Sequence, residues 1–335
     1  MSGDVIPGLV STVIPVYNRP DMLRQAVGSV LAQSWTNIEI IISDDGSSEE
    51  TIAAAESLVT SNPGVLRLVR NSNRGPGPAR EAGRLLARGE FIQYLDSDDR
   101  LLPNKFTAQI QRLRQRPEAG VAYGQTRLID VAGNVLVSPY KWTGQEREHL
   151  LPGLLVDRWW CTHTPLYRRS VTDAAGPWTD LRYSQDWEYD ARVAALGTIL
   201  VNCHELVSEH RTHDGNRQTG SGRWLPPRAQ VRFFSSLLAS ARQASVATSS
   251  PEMKHFTRWI FKQARECAAL RDPESAAALC ELVEQAQGRD SFELKLFRKL
   301  AGVIGWAPAA RCLEFGQRTL KRSPGPDTQA QSWMR

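Results

Sequence analysis

The sequence predicts an α/β protein: a Rossmann-like, mostly parallel sheet flanked by helices, followed by an all-helical C-terminal region. Three observations carry this expectation. Apolar runs of strand length alternate with helical patterns from Leu9 to Asp99, the order that builds a parallel sheet with right-handed crossovers. Three of the runs end in polar residues, Tyr17-Asn18, Asp44-Asp45 and Asp96-Ser97-Asp98-Asp99, at the sheet edge where open α/β folds bind ligands. From Trp224 onward the strand pattern stops and only helical periodicity remains.

Leu9–Val16, rich in β-branched residues, reads as the first buried strand, and Pro20 opens a helix with Leu23, Val27, Val30 and Leu31 on one face. Ile38–Ser43 is the second strand. Ser47 and Glu50 then have the spacing of a capping box, which places a helix start at Ser47. Val65–Val69 is a third strand, followed by Asn71–Arg80 as a Gly/Pro loop and a helix carrying Leu85 and Leu86. Phe91, Ile92, Tyr94 and Leu95 form a fourth strand, and Pro103 suits the first turn of the next helix. Val121–Asp130 and Val135–Ser138 read as a hairpin, Ser184–Leu196 as a helix stopped by Gly197, and Thr198–Cys203 as a further strand. Five helices follow, over Pro227–Ala244, Glu252–Arg271, Pro273–Ala286, Ser291–Leu300 and Pro308–Leu320. The predicted organisation is an α/β domain over 1–222, divided near 125, a helical accessory domain over 223–322, and a Pro/Gly/Ser/Gln-rich disordered tail over 323–335.

The net charge of +5 is mild and its basic residues are scattered until the C-terminal region, which gives no reason to expect nucleic-acid binding. Five widely spaced cysteines without a Cys-x-x-Cys read as reduced thiols filling the core of a cytoplasmic protein. No signal-peptide pattern and no run of membrane-spanning length is expected. Neither a Gly-x-Gly-x-x-Gly after the first strand nor a Walker A pattern is present, so a nucleotide would be held by carboxylates, a metal and loop backbone. Asp96, Asp98 and Asp99 repel one another unless something cationic sits between them, and their hard oxygens suit Mn²⁺ or Mg²⁺. The plainer reading of the same run is an Asp-rich turn that caps a helix, and for Asp186 and Glu188 it is complementation of a helix dipole.

Seven short motifs then stand in order between Val10 and Asn216. They are Ile14-Pro15-Val16-Tyr17-Asn18, Asp44-Asp45-Gly46-Ser47, Asn73-Arg74-Gly75, Ala79-Arg80, Asp96-Ser97-Asp98-Asp99, Gln185-Asp186-Trp187-Glu188 and Arg211-Thr212-His213. Together they resemble the family 2 glycosyltransferases of bacterial polysaccharide type. The chain departs from that family at Glu81, where Asn is common, and at Gln185, where Glu is usual.

The resemblance implies a GT-A fold whose first part, 1–125, holds a nucleotide-sugar donor and whose second, 126–222, holds the acceptor. It implies a donor site of Pro15, Tyr17, Asn18, Asp44, Asn73, Arg80, Asp96 and Arg211. Tyr17 would stack on the base and Asp44 would accept from its N–H, which suits uracil or thymine, with UDP the expected carrier. Asp98 of the Asp-x-Asp motif and His213 would hold Mn²⁺ or Mg²⁺, with Asp99 behind them or capping a helix. Asp186 would be the general base of an inverting transfer to a glycan or lipid-linked acceptor. Trp160, His163, Trp187 and Glu188, with Trp159 and Arg168, are the acceptor-side candidates, though the tryptophans read equally as core. Two alternatives remain from the residues. One is a sugar nucleotidyltransferase, disfavoured by Tyr17-Asn18-Arg19-Pro20 where a basic Gly-rich loop belongs, and the other is a silent nucleotide-sugar binder or scaffold. Residues 289–322 mix basic side chains with Phe292, Leu296, Phe297, Val303, Ile304 and Trp306. They read as a solvated bundle face or as a peripheral contact with the inner face of the membrane.

Overall fold

The computed structural model describes residues 5–212, 225–287 and 292–320, with backbone alone for 314–320. His213, Arg289, Lys321, Arg322 and the expected tail 323–335 lie outside the described residues. The chain divides into two compact units, Met1–Gly215 and Asn216–Arg335.

In the first unit, strands β1 (Ile6–Val16), β2 (Ile38–Asp44), β3 (Leu66–Arg70) and β4 (Gly89–Tyr94) run parallel in the order β3-β2-β1-β4. Helices α1 (Pro20–Leu31), α2 (Glu49–Ser61) and α3 (Pro76–Leu86) connect them. Val10, Ile14, Ile40, Ile42 and Phe91 pack with Leu23, Val27 and Val30 of α1 in one core. Each such side chain, fully buried, contributes about 1.5–3 kcal/mol. The β1–β2 register pairs Val16 with Asp44, so the polar ends of these strands arrive side by side at the carboxyl edge.

Beyond β4 the sheet is mixed. β8 (Leu166–Arg168) lies antiparallel to β4, and β6 (Ala119–Ile129) antiparallel to β8. β9 (Ile199–Arg211) runs parallel to β6, β5 (Arg100–Leu101) pairs antiparallel with β9, and β7 (Val135–Val137) makes the expected hairpin with β6. Helices α4 (Lys105–Gln115), α5 (Arg169–Ala175) and α6 (Gln185–Ala195) complete the unit. Only Leu95–Asp99 separates β4 from β5, although three strands stand between those two in the sheet. At about 4.8 Å per strand a flat sheet would require that segment to be fully extended. It instead contains a turn, Asp99 N–H to Asp96 O at 3.0 Å, so the sheet curls.

Several elements differ from expectation. α3 begins at Pro76 rather than after Arg80: Gly75, with φ of 101°, starts it, and Pro76 suits the first turn. Arg80 is thereby carried on the buried face, whereas Leu85 and Leu86 are exposed. No capping box forms at α2. Ser48, not Ser47, is its boundary residue and makes no side-chain cap, while Ser47 Oγ accepts from Asn18 N–H (3.0 Å). β8 and α5 are unanticipated, and β9 continues well past Cys203 through His204, whose φ is 58°. The continuation depends on Gly124 in β6, where a Cβ would come within 2.6 Å of Cys203 Sγ and 2.7 Å of Glu205 O.

The second unit consists of α7 (Pro227–Gln243), α8 (Pro251–Ala269), α9 (Pro273–Gln287), α10 (Phe292–Ile304) and α11 (Trp306–Leu320). Edge-to-face contacts among Phe233, Phe234 and Trp259, and among Phe261, Phe297 and Trp306, fill its interior. Among the described residues no helix is long and apolar enough to cross a membrane. All five cysteines are free thiols, and only Cys312 is exposed.

Candidate active site

The carboxyl edge of β1, β2 and β4 gathers most of the expected donor residues. Pro15 lies in β1 opposite Ser43, and Tyr17 follows the strand with 48% of its surface exposed. Asn18, with φ of 52°, accepts from Ser48 N–H at 2.7 Å and ties this strand end to the start of α2. The buried Asp44 accepts from Gly46 and Ser47 N–H at 3.2–3.3 Å. Asp45, named in the second motif but given no role there, accepts from Arg74 N–H (2.9 Å) and Gly75 N–H (2.8 Å) and so docks the entry to α3. Burial raises the Asp45 carboxyl above its ordinary value despite these bonds. Asn73 Oδ1 accepts from Arg182 at 3.3 Å.

Asp96 and Asp98 each pair with an arginine, and Asp99 faces two histidines. Asp96 pairs with Arg80, whose guanidinium also lies 4.8 Å over the Trp178 ring. Asp98 pairs with Arg19 at 2.6 Å and keeps a partly exposed side chain. Asp99 is buried: Oδ1 accepts from Arg211 N–H at 2.9 Å, while Oδ2 lies 2.8 Å from His163 Nδ1 and 3.1 Å from His210 Nδ1. Burial alone would raise Asp99, but His210 and His163 hold it well below the ordinary carboxylate range. Arg211 reaches Gln25 Oε1 at 2.8 Å, and burial lowers its guanidinium.

Asp186 stands in the first turn of α6. It receives Arg158 Nη1 at 2.5 Å and Trp187 N–H at 2.8 Å. Arg158 also donates from Nε to Asp190 at 2.9 Å, one turn further along the helix. Asp190 accepts as well from Trp160 Nε1 and Tyr167 OH, each at 3.2 Å. These surroundings push two neighbouring carboxylates apart. Burial pushes both upward, but Arg158, with help from Arg80, holds Asp186 below the ordinary value, whereas burial prevails at Asp190. Asp186 is therefore ionised at neutral pH. Arg80 joins the two ends of the site, since it pairs with Asp96 and its charge reaches Asp186. Arg158 and Asp190 were missed from the sequence.

The expected acceptor residues are not an open wall. Trp160 and His163 are wholly buried, and Trp159 and Trp187 nearly so, with the Trp187 indole N–H on Leu154 O at 2.9 Å. Glu188 is buried against Arg192 and Thr179. Arg168 bonds Ala119 O and Leu113 O at the opposite end of the strands, so it is a structural residue.

Residues 11–173 match the family described as glycosyl transferase family 2. That stretch is a family 2 glycosyltransferase domain. It is 33% identical over 147 residues to chondroitin synthase of Escherichia coli, spanning 44% of this chain and 21% of that protein. It is 30% identical over 210 residues to an uncharacterized glycosyltransferase of Rickettsia typhi, 62% of this chain and 64% of that one. The chain thus spans from about a fifth to just under two thirds of these curated relatives. S. aureus TarS 1–349, solved with UDP-GlcNAc, superposes with a TM-score of 0.68 at 16% identity over 92% of this chain and 91% of that one. The chain therefore carries the expected GT-A fold.

Proposed function

We propose that this chain is an inverting glycosyltransferase that moves a sugar from a UDP-sugar to a hydroxyl of a glycan or lipid-linked acceptor. The observation that carries the reading is a single carboxylate, Asp186, kept ionised by Arg158 and joined through Arg80 to the donor edge at Asp96. Asp186 takes the acceptor hydroxyl proton while that oxygen attacks the anomeric carbon from the face opposite the diphosphate. The bond to the diphosphate breaks, its electron pair leaves with UDP, and the configuration inverts in one step. Tyr17 stacks on uracil, Asp44 accepts its N–H, and Arg211 offsets the charge of the departing diphosphate.

Asp98, with Asp96 beside it, supplies oxygen ligands that suit Mn²⁺ or Mg²⁺, and its pairing with Arg19 marks a position that calls for positive charge. Such an ion, when bound, offsets charge on the diphosphate. The UDP-GlcNAc bound by TarS and the relationship to chondroitin synthase support a UDP donor and a role in polysaccharide synthesis.

The chain incubated with a panel of UDP-sugars should release UDP, less so in EDTA, and NMR of the product should show the opposite anomer. UDP release from none of them, or a retained anomer, would overturn the reading.

A peripheral location at the inner face of the membrane fits α10. Phe292 and Val303 are 79% and 77% exposed and share one stripe with Leu296, beside Lys295 and Lys299. Co-sedimentation with anionic vesicles should fall with added salt and disappear in Phe292→Ser/Val303→Ser; indifference to such vesicles at low salt rules the contact out.

A further inference from the structure

We propose that Cys161, His163 and His210 form a site for a zinc ion, separate from the oxygen ligands of the donor edge. Cys161 Sγ and one ring nitrogen from each histidine lie within 4.8 Å of one another. Cys161 and His163 are buried and His210 is partly buried. Tetrahedral zinc with bonds of about 2.0–2.3 Å needs ligand separations of about 3.4–3.6 Å, so rotamer shifts of about 1 Å close the site.

Three features favour a cation here over an ordinary polar core. The His163 ring is wholly enclosed: its Nδ1 lies 2.8 Å from Asp99, and its Nε2 has no hydrogen-bond partner among the described residues. A buried ring nitrogen left without a partner costs free energy that a bound cation would recover. Asp99 Oδ2 touches Nδ1 of both histidines, the arrangement in which a carboxylate sets ring tautomer and orientation behind a metal. Finally, a thiolate with two imidazoles selects borderline-soft cations such as zinc, whereas the carboxylates of the donor edge select hard ones.

The local chain is built to hold these ligands. Thr164 closes a turn over Cys161, with Thr164 N–H on Cys161 O at 3.0 Å and Cys161 N–H on Thr164 Oγ1 at 3.2 Å. His210 comes from β9, stacked between Tyr140 and His163. Arg158 and Thr162, on the same short segment, both reach Asp186. A zinc ion would therefore brace the segment that positions the base, without touching substrate.

Cobalt(II) alone is a direct probe of the site. The full chain, stripped with chelator and dialysed, should take up one Co²⁺ with tetrahedral d–d bands and a thiolate-to-metal charge-transfer band, both erased by Zn²⁺. Cys161→Ser should remove the charge-transfer band with an unchanged far-UV CD spectrum. Cys312→Ser and Asp98→Ala should leave that band intact, which separates this site from the exposed thiol and from the donor edge. His210→Ala, at a partly exposed position, should weaken Co²⁺ binding at least tenfold and provides the same test if Cys161→Ser does not fold. Absence of stoichiometric Co²⁺ uptake, a band that survives in Cys161→Ser, or unchanged affinity in His210→Ala overturns the proposal.

Discussion

The donor edge and the start of α6 both gather carboxylates, but they compensate them in opposite ways. Asp96 and Asp98 each have their own arginine, Arg80 and Arg19, and both carboxylates keep contact with solvent. Asp186 and Asp190 share one arginine, Arg158; Asp186 keeps a partly exposed edge, whereas Asp190 is sealed from solvent. Near water an ion pair is worth little and is readily exchanged for a ligand. In a dry site the same charges cannot separate without a large penalty, so their geometry is fixed and their proton affinities diverge. The first arrangement suits a place that must admit a charged donor, and the second a base that must be ionised and aimed.

The sharpest way to break this comparison is Asp186→Asn. Turnover should fall by about two to four orders of magnitude, the usual worth of a general base, with donor affinity retained. Near-normal turnover would move the base elsewhere, with Glu188 the first alternative.

Arg158→Gln should cost about 3–5 kcal/mol in urea unfolding, because it leaves the buried Asp190 without its cation. It should also shift the pH profile. In the native chain Arg158 holds the Asp186 carboxyl below its ordinary value, so its protonation should not reduce kcat between pH 8 and 5. Without Arg158, burial prevails, the Asp186 carboxyl rises, and the acid limb of kcat moves upward. An unmoved acid limb would remove Arg158 from its role in holding the base ionised.

The smallest change in stability is expected at Asp98→Asn. Its partly exposed pair with Arg19 predicts a loss within about 1 kcal/mol. Donor affinity should nevertheless drop about ten- to a hundredfold, the worth of a charge-assisted contact, as read by calorimetry. Equal losses in stability at Asp98 and Arg158 would erase the distinction between the two regions.

The same contrast explains what was legible in the sequence. Tyr17, Asp44, Asp96 and Asp98 follow directly from strands whose apolar pattern sets their register, so locating a strand end locates the residue. Arg158 gave no such signal: it lies on an aperiodic segment, and its partners are 28 and 32 residues away. Gly75-Pro76-Gly77-Pro78 looked like a loop because breakers dominate it, yet proline is tolerated in a helix's first turn, and the helix there turns Arg80 inward. At Trp160 the sequence left acceptor site and core equally open. Composition alone does not tell an aromatic wall from packing, and the structure puts its indole N–H on Asp190 in the core.

The curl of the sheet also bears on the thermodynamics of donor capture. Leu95–Asp99 is anchored by β4 on one side and by β5 on the other, and Asp99 is fastened to the Arg211 backbone. Its backbone entropy, about 1–2 kcal/mol per residue, is therefore surrendered during folding rather than during binding. A segment tethered at one end would have to meet that cost each time a donor arrived. Here the acidic turn is set in advance, and more of the free energy of each new contact can appear as affinity.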